Sequence, residues 1–283
     1  MAPKNCIKYP SKIILLGEYL VLNQGHAISI PFHPCSLTKT FDSQKVTSSI
    51  LLDFEKYISS LDLFKNRISP QFKEDIQNGL QYTSTIPVGY GLGSSGAVVA
   101  AIYDAYIQSK KENLISLKEE LSILESFFHQ KSSGIDPLTS YIQKPLWIEH
   151  DAIRVLDNFI VPQNFKLLDS GVERNAKNAI ALFQNKKQHA PFNEQLEILK
   201  QINNAIVAKL IAQQPISEEM KKLSRIQLEI FEELIIEPIK NIWLEGLTSN
   251  DFYMKLCGAG MGGMYLVYIN STDYDSNHLI SIT

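Results

Sequence analysis

The sequence predicts an α+β chain of two lobes, and three observations predict it. The first third carries short apolar runs broken by glycine and by an Asn-Gln-Gly turn, the texture of β-strands. Residues 175–247 place their apolar side chains at helical spacing. Two strand-like runs, 252–256 and 264–269, then return around a glycine cluster. Strands followed by helices and late strands, without strict alternation, form the α+β pattern. The lobes are expected over residues 1–160 and 161–283.

Taken in order, residues 13–16, 20–22 and 27–31 read as short strands, and 51–54 as another. Residues 56–80 are ambiguous apart from Pro70, which should open a helix over 71–79. Helices are expected over 96–109 and 116–130, the second started by Ser116 and Glu119 as a capping box. Short strands follow at 145–149, 152–156 and 165–168. The later helices span 175–183, 191–212, 217–231 and 238–247, and their apolar positions read as core.

Composition narrows the function classes. The chain has 283 residues, 45% of them hydrophobic and 20% charged, as an ordinary globular protein does. Its net charge of −3 argues against a mainly electrostatic role on nucleic acid or a membrane surface. No apolar run approaches the roughly 18 residues of a membrane span. Glu18 interrupts the early apolar segment 13–22, so a signal peptide is not expected. Three widely spaced cysteines, Cys6, Cys35 and Cys257, fit a reducing cytoplasm better than a disulfide framework.

Four segments carry candidate chemistry. The most specific is "PVGYGLGSSGA", which puts four glycines and two serines between Pro87 and Ala97 and then enters a helix. Glycines let backbone amides face a ligand, and the helix adds unpaired N–H groups and a positive dipole end. That combination suits phosphate. The Walker pattern is absent, for want of Gly-Lys-Ser/Thr. Gly91, Gly93 and Gly96 satisfy G-x-G-x-x-G, but the polar lead-in and the charged stretch that follows fit a dinucleotide fold poorly. A glycine-rich turn that merely caps a helix would read the same.

In the second segment, "SKIILLGEY", Lys12 could stabilise a developing alkoxide or phosphoryl charge. Charged strand ends are also commonly just solvated. In the third, "ESFFHQKSSGID", Glu125 stands near a helix end and Asp136 emerges from a loop before Pro137. A carboxylate there could take a hydroxyl proton. Glu125 with a loop serine would offer hard oxygens to Mg²⁺. An exposed helix charge and a turn residue are the plainer alternatives. The fourth, "KLCGAGMGGM", is a second glycine loop between strands, either a bulged turn or a second backbone wall.

Together the four segments resemble the GHMP kinase superfamily, and within it the mevalonate kinases of bacteria. The resemblance implies a ribosomal protein S5 domain 2-like N-terminal lobe and a ferredoxin-like C-terminal lobe. It implies ATP-dependent phosphorylation of the 5-hydroxyl of (R)-mevalonate, in the cytoplasm, by a monomer or homodimer with no nucleic-acid or membrane partner. Asp136 and Lys12 would be catalytic. Pro87, Gly89, Gly91, Leu92, Gly93, Ser94, Ser95 and Gly96 would hold ATP, with Ser95 and Glu125 on Mg²⁺. The acceptor would lie against Glu18, Tyr19, Ser133 and Gly134, against Ser170, Gly171 and Arg174 of "LLDSGVERNA", and against Gly258, Ala259 and Gly260. The chain departs from the pattern in having Gln130 and Ser132 where relatives have glycine and proline. Gly96 replaces an alanine, and Tyr19 a histidine. "GEY" is also at home in phosphomevalonate kinases, the alternative acceptor class. A nucleotide sensor without turnover is the rival outside the enzymes, but it would be expected to lack Asp136 or Lys12.

Overall fold

A computed structural model describes residues 7–129 and 131–282. Strand β1 (Lys8–Leu16) runs through a turn into a 3₁₀ segment, Val21–Asn23, and then β2 (Ala27–Phe41). The run 20–22 is therefore not a strand: the amides of Leu20 and Val21 both bond to the Gly17 carbonyl and curl the chain. Strand β2 far outlasts the expected 27–31. Its start pairs antiparallel with β4 (Leu146–Ile148) and its end with β3 (Leu80–Ser84). Pro31 and Pro34, which make the strand look finished, fall between those two paired stretches, where neither partner needs an amide donor. With β5 (Ile153–Val155) on β4, the sheet order is β1-β2-β4-β5, and β3 also lies on β2.

Residues 51–54 are helical, inside α1 (Ser49–Ser60), which buries Leu51, Phe54 and Ile58. That i, i+3, i+7 spacing is a helix period, but a four-residue run is too short to reveal it. Helix α2 (Gln71–Gln77) follows Pro70 as expected. Helix α3 (Ser94–Tyr106) is apolar on nearly every side and is buried accordingly. Helix α4 (Leu114–Glu125) starts earlier than expected: the Asn113 side chain accepts from Ile115 N and Ser116 N at 3.0 and 3.1 Å, so Asn113 rather than a Ser116–Glu119 box is its cap. It stops at Glu125; the expected last residue, Gln130, lies outside the described residues, as does Cys6. Helix α5 (Ile135–Ile142) was not expected, and Asp136 sits in its first turn rather than in a loop. Pro137 is tolerated there because a first-turn residue has no intrahelical amide bond to lose.

The late helices α6 (Ala176–Lys186), α7 (Ala190–Ile211), α8 (Ser217–Ile230) and α9 (Glu237–Ser249) match the spacing closely. A second, antiparallel sheet combines β6 (Phe165–Asp169), β7 (Phe252–Leu256), β8 (Met264–Ile269) and β9 (Ile280–Ser281) in the order β7-β8-β6-β9. Edge strand β7 is not left bare. Met254 N donates to Ser224 Oγ at 3.1 Å and Leu256 N to Gln227 Oε1 at 2.9 Å, so α8 side chains satisfy its outward amides. Two separate sheets with their helices bear out the α+β class.

The chain divides into two compact units. One holds residues up to Lys12, Pro31–Pro87 and Leu92–Lys144; the other holds Ile13–Ile30, Val88–Gly91 and Pro145 onward. The division passes through β1 after Lys12 and through the glycine loop between Gly91 and Leu92. No helix of the described residues is long and apolar enough to cross a membrane.

Candidate active site

In the first unit the residues singled out in the sequence form one cluster. Lys12 ends this unit's part of β1, and its amide donates to the Leu92 carbonyl at 2.9 Å, tying strand to loop. Its side chain is buried, and Nζ lies 3.0 Å from Asp136 Oδ1. The loop backbone presses on this pair. A β-carbon at Gly93 would come within 3.0 Å of Lys12 Cγ and 3.3 Å of Asp136 Oδ2. Gly96 meets the backbone that carries Asp136, and a β-carbon there would lie 2.8 Å from both the Asp136 carbonyl carbon and Pro137 N. Glycine at position 96 is thus what lets α3 and α5 approach so closely.

Glu125 is no exposed helix charge. It is 4% exposed, and Ser95 Oγ donates to its Oε1 at 3.1 Å. Ser132 Oγ donates to its other oxygen. Burial, reinforced by the negative charge of Asp136, pushes the Glu125 carboxyl up to about 7, against the pull of hydrogen bonds from Ser132 and Ser95 and of the Lys12 charge. His129 Nε2 sits 2.9 Å from Ser95 Oγ. A serine hydroxyl has one proton, so with Ser95 donating to Glu125, His129 serves as donor to Ser95. Ser133 Oγ accepts from Ile135 N at 3.3 Å and helps to start α5. Gly134, at φ 73°, turns the chain into that helix in a left-handed conformation suited to glycine.

The donor set suits a hard divalent cation. Serine and carboxylate oxygens gather at Ser95 and Glu125, and Mg²⁺ takes few protein ligands while keeping waters and phosphate oxygens. No group of three or more His, Cys, Asp or Glu side chains among the described residues could hold a metal, so a closed structural site is not what this cluster offers. Beside it lies a cavity of about 480 Å³, lined by Ser48, Leu51, Gln81, Tyr82, Val98 and Phe128 among others. Sequence reading did not find this cavity, because its walls come from α1, β3 and α3, far apart in the chain. The local hints are Val98, three residues after Ser95, and Phe128, three residues after Glu125.

In the second unit the other candidates gather around Arg174. Its amide donates to Gly89 O at 3.0 Å. A β-carbon on either Gly91 or Gly258 would lie 2.5 Å from its Nη1, so the guanidinium fits between the first and second glycine loops. Tyr19 stacks on Phe183 with centroids 4.2 Å apart, and its hydroxyl donates to Ala259 O at 2.7 Å. Glu18 accepts from Lys255 Nζ at 2.5 Å in a fully enclosed ion pair. Lys255 opens the second glycine motif, and its partner is not local in sequence. Ser170 N donates to Gly263 O at 3.1 Å, and Gly171 N to Asp169 Oδ1 at 2.8 Å. Gly260 packs on the carbonyl of Leu234. Pro87 closes a segment of the first unit just before the loop. Cys35 is half-buried and Cys257 buried.

Residues 56–143 match the family model of the GHMP kinases N terminal domain. A curated mevalonate kinase of Pyrococcus abyssi is 27% identical over 293 residues, covering 90% of this chain and 85% of its own. Among solved structures, the mevalonate kinase of Methanococcus jannaschii superposes with a TM-score of 0.66 at 16% identity, covering 95% of this chain and 92% of its own. The L. major mevalonate kinase in complex with R-mevalonate gives a TM-score of 0.64 at 15% identity over 95% and 88%. These structures share the fold, and the motif resemblance agrees with both kinds of relative.

Proposed function

We propose, from the premise that this chain carries a GHMP kinase N-terminal domain over residues 56–143, that it transfers the γ-phosphoryl group of ATP to the 5-hydroxyl of (R)-mevalonate. The observation that carries this reading is the pair of buried Lys12 and half-buried Asp136, 3.0 Å apart, against the backbone of the glycine loop. Phosphoryl transfer asks the protein mainly for positioning and charge stabilisation. The backbone of Gly89, Gly91, Leu92, Gly93, Ser94, Ser95 and Gly96 holds the triphosphate, helped by the N-terminus of α3. The cavity beside α3 takes the nucleotide base. Ser95 and Glu125 hold Mg²⁺, which when bound offsets the negative charge of the phosphates.

Asp136 receives the proton of the acceptor hydroxyl or orients that hydroxyl. Lys12 stands beside the oxygen as it gains charge. Arg174, with Ser170 and Gly171 nearby in the chain, provides the cation for the acceptor's carboxylate. The motif resemblance assigns Tyr19, Ala259 and Gly260, with Glu18, Ser133 and Gly134, to the acceptor. The relatives named above as mevalonate kinases support this acceptor over phosphomevalonate.

ADP release with Mg²⁺-ATP against mevalonate, phosphomevalonate, homoserine and galactose tests the reading. Turnover on mevalonate alone is expected. Turnover on phosphomevalonate instead would move the activity one step along the same chemistry. Nucleotide binding with no turnover on any of the four would overturn the enzyme assignment.

A further inference from the structure

We propose that Ser132 is a positioning residue: it aims the Glu125 carboxylate and so sets how tightly the nucleotide's divalent cation is held. This rests on the reading of Glu125 as a cation ligand. Ser132 lies in the short connection between α4 and α5, and both its carbonyl and its hydroxyl are engaged there. Its carbonyl accepts from Ser122 Oγ at 2.7 Å. Its hydroxyl accepts from Gly134 N at 2.9 Å and gives its single proton to Glu125 Oε2. The connection cannot lift away easily, because Gly134 packs so close to α4 that a β-carbon there would stand 2.3 Å from the Lys118 carbonyl.

The consequence for Glu125 is directional. With Oε2 pinned by Ser132, Oε1 is left facing Ser95, the other oxygen assigned to the cation. The Ser132 hydroxyl also touches Gly134, two residues before Asp136, so one side chain links the cation ligand to the start of the helix that carries the proton acceptor. Partners that orient a metal ligand commonly matter about tenfold or more in metal affinity. A side chain that only capped the turn would change stability and leave the cation alone.

The test uses the whole chain, with Mg²⁺ titrated into ADP-binding calorimetry and thermal melts run in parallel. Ser132→Ala should raise the Mg²⁺ concentration for half-maximal tightening about tenfold. ADP affinity without metal should stay within twofold, and Ser132→Thr should restore the Mg²⁺ response. In a Glu125→Gln background, Ser132→Ala should add nothing further to the Mg²⁺ requirement. An unchanged Mg²⁺ response in Ser132→Ala, alongside a weakened one in Glu125→Gln, would overturn the role of Ser132 alone. An unchanged response in Glu125→Gln would overturn both that role and the cation reading beneath it. Equal loss of metal-free and metal-dependent binding, together with a lowered melting temperature, would reduce Ser132 to a turn cap and also overturn the proposal.

Discussion

Two buried glutamates, one in each unit, are treated in opposite ways. Glu18 faces an ammonium, Lys255 Nζ at 2.5 Å, and the pair is closed off from solvent. Glu125 is buried as deeply, yet it faces two hydroxyls and has a second carboxylate, Asp136, as its electrostatic neighbour. The first arrangement neutralises a charge internally and serves structure. The second leaves charge unbalanced and ready to meet an incoming cation, at a cost in stability to the free protein. Burial alone therefore does not mark a working residue; the sign of what surrounds it does.

The largest test of this contrast is Asp136→Asn. Turnover should fall by about a thousandfold or more, while circular dichroism and the melting temperature stay near those of the parent. Near-full turnover would remove Asp136 from the chemistry and leave Glu125 with no catalytic company. On the structural side, Lys255→Met should take the ammonium away from Glu18 and cost about 3–5 kcal/mol in urea unfolding. Adding Glu18→Gln should recover much of that loss. If Lys255→Met is neutral, the pair is not the closed structural unit described above.

A third test follows the proton on Glu125, whose folded-state value of about 7 is raised from the ordinary 4.5. Between those values the folded protein binds the proton and the unfolded chain does not. The stability contribution is thus present in full below about 4.5 and lost as pH rises through 7. The difference is on the order of 3 kcal/mol. Other carboxylates titrate in the same range, so the reading is the difference between parent and Glu125→Gln, whose melts should lack this falling component. Parallel curves for the two proteins would show that Glu125 ionises normally. The smallest effect is expected for Gly96→Ala. Its methyl would crowd the backbone of Asp136 and Pro137, costing about 1–2 kcal/mol and lowering turnover more than stability would explain. Unchanged turnover would mean that α5 can yield without disturbing Asp136.

What the sequence revealed of this site was its local part. The loop 87–97 is legible because phosphate binding needs glycines and hydroxyls in one short run. Glu125 and Asp136 are legible because a family motif joins them within one segment. The electrostatics were not, since the burial of Glu125 depends on packing, and Lys255 meets Glu18 across 237 positions. Ser132 read only as a departure, because its hydroxyl acts through a turn whose shape no spacing rule supplies. In the fold, the late helices were plain from their period. Helix α5 was hidden by Pro137, and the length of β2 by Pro31 and Pro34, since proline reads as a stop even in a helix's first turn or between the stretches of a strand that pair with β3 and β4.

The covering of β7 by Ser224 and Gln227 also bears on the order in which the chain is made. Helix α8 is encoded before β7, so on the ribosome the cover has emerged by the time the edge exists. A circular permutant that delivered β7 ahead of α8 would present that edge unguarded to neighbouring chains, and its yield of soluble protein should fall although the finished fold is the same.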